Sequence, residues 1–264
     1  MLLQLILVAL AACSASALTL FTGFGLGTLL LPVFACCMPI EMAVPATALV
    51  HAASNLTKVL FLGRHADFGI LLRFGLPAVL AAIGGAALLD QLATLPPLAT
   101  WQCGERTALI TPIKLALGLL IGGFALLELG GRLNKLHFAR QQLFLGGLVS
   151  GFFGGLSGHQ GALRSAALTH AELAPESFVA TNAVIGMAVD CVRLVTYATL
   201  IDTAARVRLL SGESAVLLFT GIFAALIGIL VGRRFLRKIT MIFVRRAAAL
   251  MLFATALLLA TGLL

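Results

Sequence analysis

The sequence predicts an all-α polytopic membrane protein made of two inverted repeats, and three observations lead to that fold class. The 264 residues are 61% hydrophobic and only 11% charged, with a mean hydropathy of +1.09, whereas a soluble domain must keep much of its surface polar. Apolar runs of about 20 residues recur along the chain, and that length crosses a bilayer as a helix. Positions 135 residues apart also carry related residues in an ungapped register, which indicates an internal duplication.

The apolar segments fall into two groups, six of ordinary length and two long ones broken by glycine. They run roughly over residues 1–38, 43–63, 69–90, 107–129, 141–171, 176–200, 213–232 and 240–263. The breaks lie at residues 22–27 and 151–161, and either close helix packing or a discontinuous helix lining a cavity explains such glycines. The clustering of the glycines, with His159 and Gln160 between them, favours the discontinuous helix. Residues 1–5 lack the basic side chain of a signal peptide, so we expect residues 1–20 to remain as membrane structure.

The duplication divides the chain into two halves joined by a short polar linker. At the offset of 135 residues, Asn55 corresponds to Asp190 and Lys58 to Arg193. Other matched pairs are Thr22 with Ser157, Gly23 with Gly158, Glu41 with Glu176, and Thr47 with Asn182. We therefore predict a first membrane repeat over 1–130, a cytoplasmic linker over 131–140 and a second membrane repeat over 141–264.

The distribution of basic residues selects one topology of these segments. If every segment crossed once, both faces would be mildly basic. If the two broken segments are re-entrant hairpins, one face holds Arg64, Arg73, Arg132, Lys135, Arg140, Arg233, Arg234, Arg237, Lys238, Arg245 and Arg246. The other face then keeps only Arg106, Arg206 and Arg208 among the acids Glu41, Asp90, Glu105, Asp202 and Glu213. Because Lys and Arg accumulate on the cytoplasmic side, we predict a re-entrant segment followed by three crossings in each half, with the halves inverted.

Two polar stripes lie on otherwise apolar helices. Helical spacing aligns Thr47, His51, Asn55 and Lys58 in the first half, and Asn182, Gly186, Asp190 and Arg193 in the second. One interpretation is structural: Asp190 pairs with Arg193 inside its helix, and Lys58 extends to the membrane surface. The alternative is functional, because three apparently buried cations (Lys58, Arg164 and Arg193) face one acid. An anionic ligand would then supply the missing charge.

The glycine breaks add a second reason to expect an anion. A short helix is predicted from about Ala162 to His170 and a matching one from about Thr28 to Ala35, and helix N-termini bind anions through free N–H groups. Arg164 is expected in the first turn of its helix, where its positive charge lies beside the positive end of the helix dipole. This position is unfavourable unless a ligand or a carboxylate neutralises the charge. His159 is either a hydrogen-bonded side chain or a group that exchanges a proton. We predict a substrate site made of Gly23, Phe24, Gly25, Thr47, His51, Asn55, Lys58, Gly158, His159, Gln160, Gly161, Arg164, Asn182, Asp190 and Arg193.

Several function classes are not expected from these residues. The five cysteines show no metal-ligand spacing, and we find neither a nucleophile–base–acid set nor a P-loop, so no enzyme, metal, cofactor or ATP-driven pump is predicted. The net charge of +8 is dispersed among loops, so it sets membrane orientation and does not predict nucleic-acid binding. The expected partners are the lipid bilayer of a bacterial-type inner (plasma) membrane and a small anion, and no oligomeric state is predicted.

The glycine-rich segments resemble a known family. Residues 151–161 leading into Leu163-Arg164-Ser165, then Pro175-Glu176 and Val179-Ala180-Thr181-Asn182, are similar to the second-half motif of the sulfite exporter TauE/SafE family, also called toluene-sulfonate uptake permeases. Residues 23–27 through Pro45-Ala46-Thr47 look like the first-half counterpart. The resemblance covers essentially the whole chain. It implies a secondary transporter, expected to be an exporter, of a sulfur-containing anion such as sulfite or an organosulfonate.

One departure from the family pattern concerns the predicted pocket. This chain has Gly158-His159-Gln160-Gly161 where many members have a run of glycines, which could alter the substrate. The alternatives that the residues leave open are a passive anion channel and a membrane-embedded assembly factor.

Overall fold

The protein is a bundle of apolar helices in the computed structural model, which describes residues 1–23, 25–104, 106–129, 142–169, 171, 173–200, 207–235 and 241–264. The helices are α1 Leu2–Thr22, α2 Leu26–Cys37, α3 Ile40–Leu62, α4 Phe68–Thr94, α5 Pro112–Leu129, α6 Leu143–Ser157, α7 Gln160–Thr169, α8 Pro175–Leu200, α9 Gly212–Phe235 and α10 Met241–Ala260. Helix α4 contains a π-helical turn over Leu71–Gly75. The predicted polytopic helical class is confirmed, whereas the predicted linker over 131–140 lies outside the described residues.

Length and composition identify membrane-crossing candidates among these helices. Four described stretches are long and apolar enough to cross a bilayer, namely Leu2–Thr19, Phe68–Thr94, Pro175–Thr199 and Gly212–Gly232. Many large apolar side chains point away from the protein interior, including Leu60 at 75% exposed and Phe223 at 64% exposed. A face of this kind is suited to lipid rather than to water.

At each predicted break, a helix ends at a glycine whose backbone is in the left-handed conformation. Gly23 ends α1 with φ 71°, and Gly158 ends α6 with φ 82°. Glycine adopts this conformation without a Cβ penalty, and in each case its N–H bonds the carbonyl four residues earlier. Helices α2 and α7 begin within three residues of these glycines. The two breaks also touch, because a Cβ placed on Gly27 would lie 2.9 Å from the Gly158 carbonyl oxygen.

Helices of the two halves of the chain pack on one another in a reciprocal pattern. Helix α3 packs on α8, and α5 packs on α10, and these are the pairs that the 135-residue offset relates. Helix α1 packs on α9, and α4 packs on α6, so these large contacts also join one half to the other. The two halves therefore bury a shared interior.

Small residues allow the close contact between α4 and α6. Gly147, Gly151 and Gly155, four residues apart on α6, lie against the backbone of Phe74, Ala78 and Ala82, four residues apart on α4. This is the small-residue packing by which membrane helices approach closely.

A two-stranded hairpin interrupts the helices, and the sequence did not predict it. Strand β1 (Ala99–Cys103) pairs antiparallel with β2 (Arg106–Ile110), so the predicted apolar segment 107–129 is a strand followed by α5. Trp101 Nε1 donates to the Thr261 carbonyl at 2.8 Å, and Leu109 N donates to the Gly262 carbonyl at 3.2 Å. The hairpin therefore lies against the C-terminal end of α10.

The two neighbouring glycines of α4 differ in the space available for a Cβ atom. A Cβ on Gly85 would overlap the Phe152 carbonyl, whereas a Cβ on Gly84 meets nothing within 4 Å. We expect Gly85→Ala to destabilise the detergent-purified protein by about 1–3 kcal/mol, because the α4–α6 contact must open. Gly84→Ala, the matched control, should stay within about 0.5 kcal/mol of the parent protein. Thermal unfolding midpoints measure both, and equal midpoints for the two variants would contradict this account of the packing.

Candidate functional site

A buried carboxylate on α8 is the centre of a polar cluster inside the bundle. Asp190 is 0% exposed, and both of its oxygens are occupied. Oδ2 lies 2.6 Å from His51 Nδ1 and accepts from Asn55 Nδ2 at 2.8 Å. Oδ1 accepts from Gln160 Nε2 at 3.1 Å, from Arg193 Nε at 3.0 Å and from Arg193 Nη2 at 2.9 Å. Groups from α3, α7 and α8 therefore converge on one carboxylate.

Two positions that correspond in the predicted duplication are in direct contact here. Asn55 and Asp190, which correspond at the offset of 135 residues, are hydrogen-bonded to each other. This contact is possible because α3 and α8, the helices that carry the two polar stripes, pack together. Gly186 of α8 permits it, since a Cβ there would lie 2.7 Å from Asn55 Nδ2.

Two further cations are buried against neutral oxygens. Arg164, 2% exposed, donates from Nε to Asn182 Oδ1 at 2.6 Å and from Nη1 to Gln160 Oε1 at 2.9 Å. Lys58, 5% exposed, donates from Nζ to Thr19 Oγ1 at 2.6 Å. The idea that Lys58 extends to the membrane surface is therefore wrong. Among the described residues, the salt bridges of this cluster join Asp190 to Arg193 and to His51.

Two buried nitrogens beside the breaks lack a partner within the described part of the chain. Asn182 Nδ2 and His159 Nε2 are inaccessible and make no hydrogen bond there. The Asn182 amide faces the first break, because a Cβ on Gly23 would lie 3.0 Å from Nδ2. Buried polar atoms are almost always satisfied, so each of these nitrogens is a candidate ligand contact.

The remaining predicted site residues have different local environments. His159 does not contact Asp190; its Nδ1 lies 3.1 Å from Ser157 Oγ and its ring stacks on Phe124 with centroids 5.5 Å apart. Thr47 donates to the Ala43 carbonyl of its own helix at 2.8 Å, so its hydroxyl is occupied away from the cluster. Gly25 is the residue before α2, with φ 122° and open space beside its Cα.

The last predicted positions lie in or beside the two breaks. Gly161 lies in the first turn of α7, and Gly158 approaches Arg193, whose Nη1 would be 2.7 Å from a Cβ placed there. Because α7 begins at Gln160, Arg164 starts its second turn rather than lying in the first. Phe24 lies outside the described residues.

The structure also identifies neighbours that sequence reasoning missed. Thr19, one turn before Gly23, holds Lys58, and the Tyr197 hydroxyl donates to the Gly155 carbonyl. Tyr197 extends the second stripe by one turn beyond Arg193, and it is the single tyrosine in the chain, so its position offered a signal. Thr19 offered none, because hydroxyls are common in membrane helices.

The long apolar helices indicate an integral, multi-pass membrane protein. The sequence model of the sulfite exporter TauE/SafE family matches residues 7–259, which is nearly the whole chain. The chain belongs to this family, whose members are membrane transporters of sulfite or related anions. No curated protein and no solved structure matches the chain.

The stability of the bundle should depend on the Asp190 carboxylate. Asp190→Asn removes the negative charge while keeping the shape, so Arg193 is left buried without its ion pair. We expect a loss of about 3–5 kcal/mol in unfolding free energy, since breaking one side of a buried pair strands the other charge. Asp90→Asn, which removes a partly exposed carboxylate at the end of α4, is the control and should change little. Similar unfolding midpoints for both variants in detergent would contradict the central place of Asp190.

Proposed function

We propose that this protein is a secondary transporter that exports a small sulfur-containing oxyanion, such as sulfite or an organosulfonate, across a bacterial-type inner membrane. The observation that carries the proposal is the charge imbalance of the buried cluster. Among the described residues, the hydrogen-bond partners of Arg164 and Lys58 are neutral oxygens at the distances given above. Three buried cations share one carboxylate. Because an uncompensated charge in a low-dielectric interior is costly, a bound anion would stabilise this arrangement.

The donors present suit a small oxyanion. The guanidinium of Arg164 is a planar donor group, and Asn182 Nδ2 adds a donor that has no partner among the described residues beside the first break. The N-terminus of α7 adds backbone N–H groups and the positive end of a helix dipole. We place the anion between the two breaks, with Asp190 orienting Arg193 and limiting the positive potential of the empty pocket.

Contacts between distant segments support the re-entrant, inverted topology. Asp67 N, before α4, donates to Thr181 Oγ1 near the start of α8. Trp101 bonds Thr261 after α10. With eight single crossings, the two members of each pair would belong to opposite faces. With two re-entrant hairpins and six crossings, each pair shares one face.

The packing of α9 supports the first hairpin directly. A Cβ on Gly221 would meet Phe34 near the end of α2 at 3.2 Å and Val8 near the start of α1 at 3.5 Å. The start of α1 and the end of α2 therefore lie at one level of α9, as expected if the chain enters and returns on the same side. Leu2–Thr19 is long enough to cross by itself, so accessibility must decide between the two topologies.

The topology predicts where introduced cysteines react. In a background with Cys13, Cys36, Cys37, Cys103 and Cys191 replaced, cysteines at positions 64, 135 and 235 should be protected from an impermeant maleimide in intact cells. Cysteines at positions 100 and 210 should be labelled from outside. Membrane permeabilisation is the control that exposes the first group. Labelling of 64 and 235 from opposite sides would refute the inverted arrangement.

The charge imbalance predicts which cations the substrate needs. In proteoliposomes we expect Arg164→Gln and Arg193→Ala each to lower the affinity for labelled sulfite more than tenfold, since losing a buried charge-assisted contact costs about 2–5 kcal/mol. Lys114→Gln removes a partly buried cation of α5 outside the cluster and should retain parent affinity.

Substrate class and mode of transport are measured on the parent protein. Sulfite, thiosulfate, sulfonates, sulfate and carboxylates are compared by thermal shift, since a ligand of the folded state raises the unfolding midpoint. Saturable counterflow supports a transporter, while ohmic current without counterflow would assign a channel.

For the two arginine variants, Arg164→Gln and Arg193→Ala, a sulfite affinity equal to that of the parent protein would refute the site.

A further inference from the structure

A cleft with charged residues in its lining lies at one end of the bundle. It has a volume of about 310 Å³ and is lined by Glu41 of α3, Asp90 of α4, Ile113 of α5, Tyr197 of α8 and Arg208 before α9. The proposed topology places Glu41, Asp90 and Arg208 on the outer face. With eight single crossings, Arg208 would instead lie opposite the two acids.

Tyr197 is a buried part of the lining of this cleft. It is 3% exposed and donates its hydroxyl to the Gly155 carbonyl of α6. Arg193, one helical turn earlier on α8, donates from Nη1 to the adjacent Gly154 carbonyl at 3.3 Å. One aromatic side chain therefore joins the cleft lining to the carbonyls beside the Asp190–Arg193 pair.

We propose that this cleft is the passage between the buried anion site and the outer aqueous phase, and that Tyr197 is its gate. The proposal rests on the transport function proposed above. With the gate closed, the tyrosine hydroxyl ties α8 to α6 at the second break. An anion that engages Arg193 competes with the Gly154 carbonyl for the guanidinium, one residue from the carbonyl that holds Tyr197. Binding therefore loosens α6 beside the contact that holds the ring in place and favours the open state.

The charges of the cleft repel anions at its mouth. The described lining residues carry two carboxylates, Glu41 and Asp90, and one guanidinium, Arg208. A net negative rim lowers the local concentration of anions and slows the approach of an external anion. Because the rim changes rates and not the equilibrium gradient, it slows the passage of the anion in both directions.

Cysteine accessibility in the ligand-free protein tests the gate. In the cysteine-replaced background, Ser157→Cys is a nearly isosteric probe at the second break, where Ser157 is 1% exposed, and Ala93→Cys is an exposed probe in the cleft. A cationic methanethiosulfonate added from outside should modify Ala93→Cys rapidly in every background. Modification of Ser157→Cys should be at least tenfold faster with Tyr197→Ala than with the parent tyrosine. Tyr197→Phe, which keeps the ring but loses the hydroxyl contact with Gly155, should give an intermediate rate.

Two outcomes would overturn the gate. One is rapid modification of Ser157→Cys while Tyr197 is present. The other is no acceleration in Tyr197→Ala and Tyr197→Phe while Ala93→Cys still reacts. Size-exclusion profiles show which variants fold. If Tyr197→Ala does not fold, the labelling rate of Tyr197→Phe still tests the gate. The labelling reactions contain no sulfite. If sulfite does not raise the unfolding midpoint, the proposed function is refuted, and the labelling rates still decide whether Tyr197 is a gate.

Discussion

One buried carboxylate constrains the interior of this protein. Asp190 accepts hydrogen bonds from both polar stripes and from the second glycine break, so its position fixes α3, α7 and α8 relative to one another. A charge at this depth is tolerated only when its hydrogen-bonding capacity is filled. Because the donors come from three helices, none of these helices can move alone without uncovering part of the carboxylate. The close glycine contacts between α4 and α6 then hold the second break where Gln160 reaches Asp190.

The predicted duplication accounts for the asymmetry of this constraint. Asn55 and Asp190, which correspond at the offset of 135 residues, meet where α3 packs on α8. Two carboxylates at 2.8 Å would repel strongly, and two amides would leave Arg193 without a counter-ion. An amide against a carboxylate avoids both problems.

Sequence reasoning recovered the features that depend on strong local signals. Helix limits follow from long apolar runs, and the breaks at Gly23 and Gly158 follow from clustered glycines that the structure places in left-handed conformations. The polar stripes were visible because charged residues in apolar helices are rare. Contacts made across the fold were not visible. Tyr197 reaches a carbonyl 42 residues away, and Thr47 lies on the predicted stripe yet bonds its own helix. The hairpin was missed because five-residue strands carry little periodicity within an apolar run.

The neutral partners of the buried cations bear on how an anion could move through the site. Asn182, Gln160 and Thr19 satisfy part of the hydrogen-bonding capacity of Arg164 and Lys58 before any ligand arrives. In the proposed mechanism, an entering oxyanion exchanges amide and hydroxyl oxygens for its own, so no bare charge forms between the empty and loaded states. Departure reverses the exchange. A carboxylate on each cation would hold it too firmly for this exchange, whereas no partner at all would make the empty site unstable. Amide and hydroxyl partners lie between these limits, which suits a site that must release its anion in every cycle.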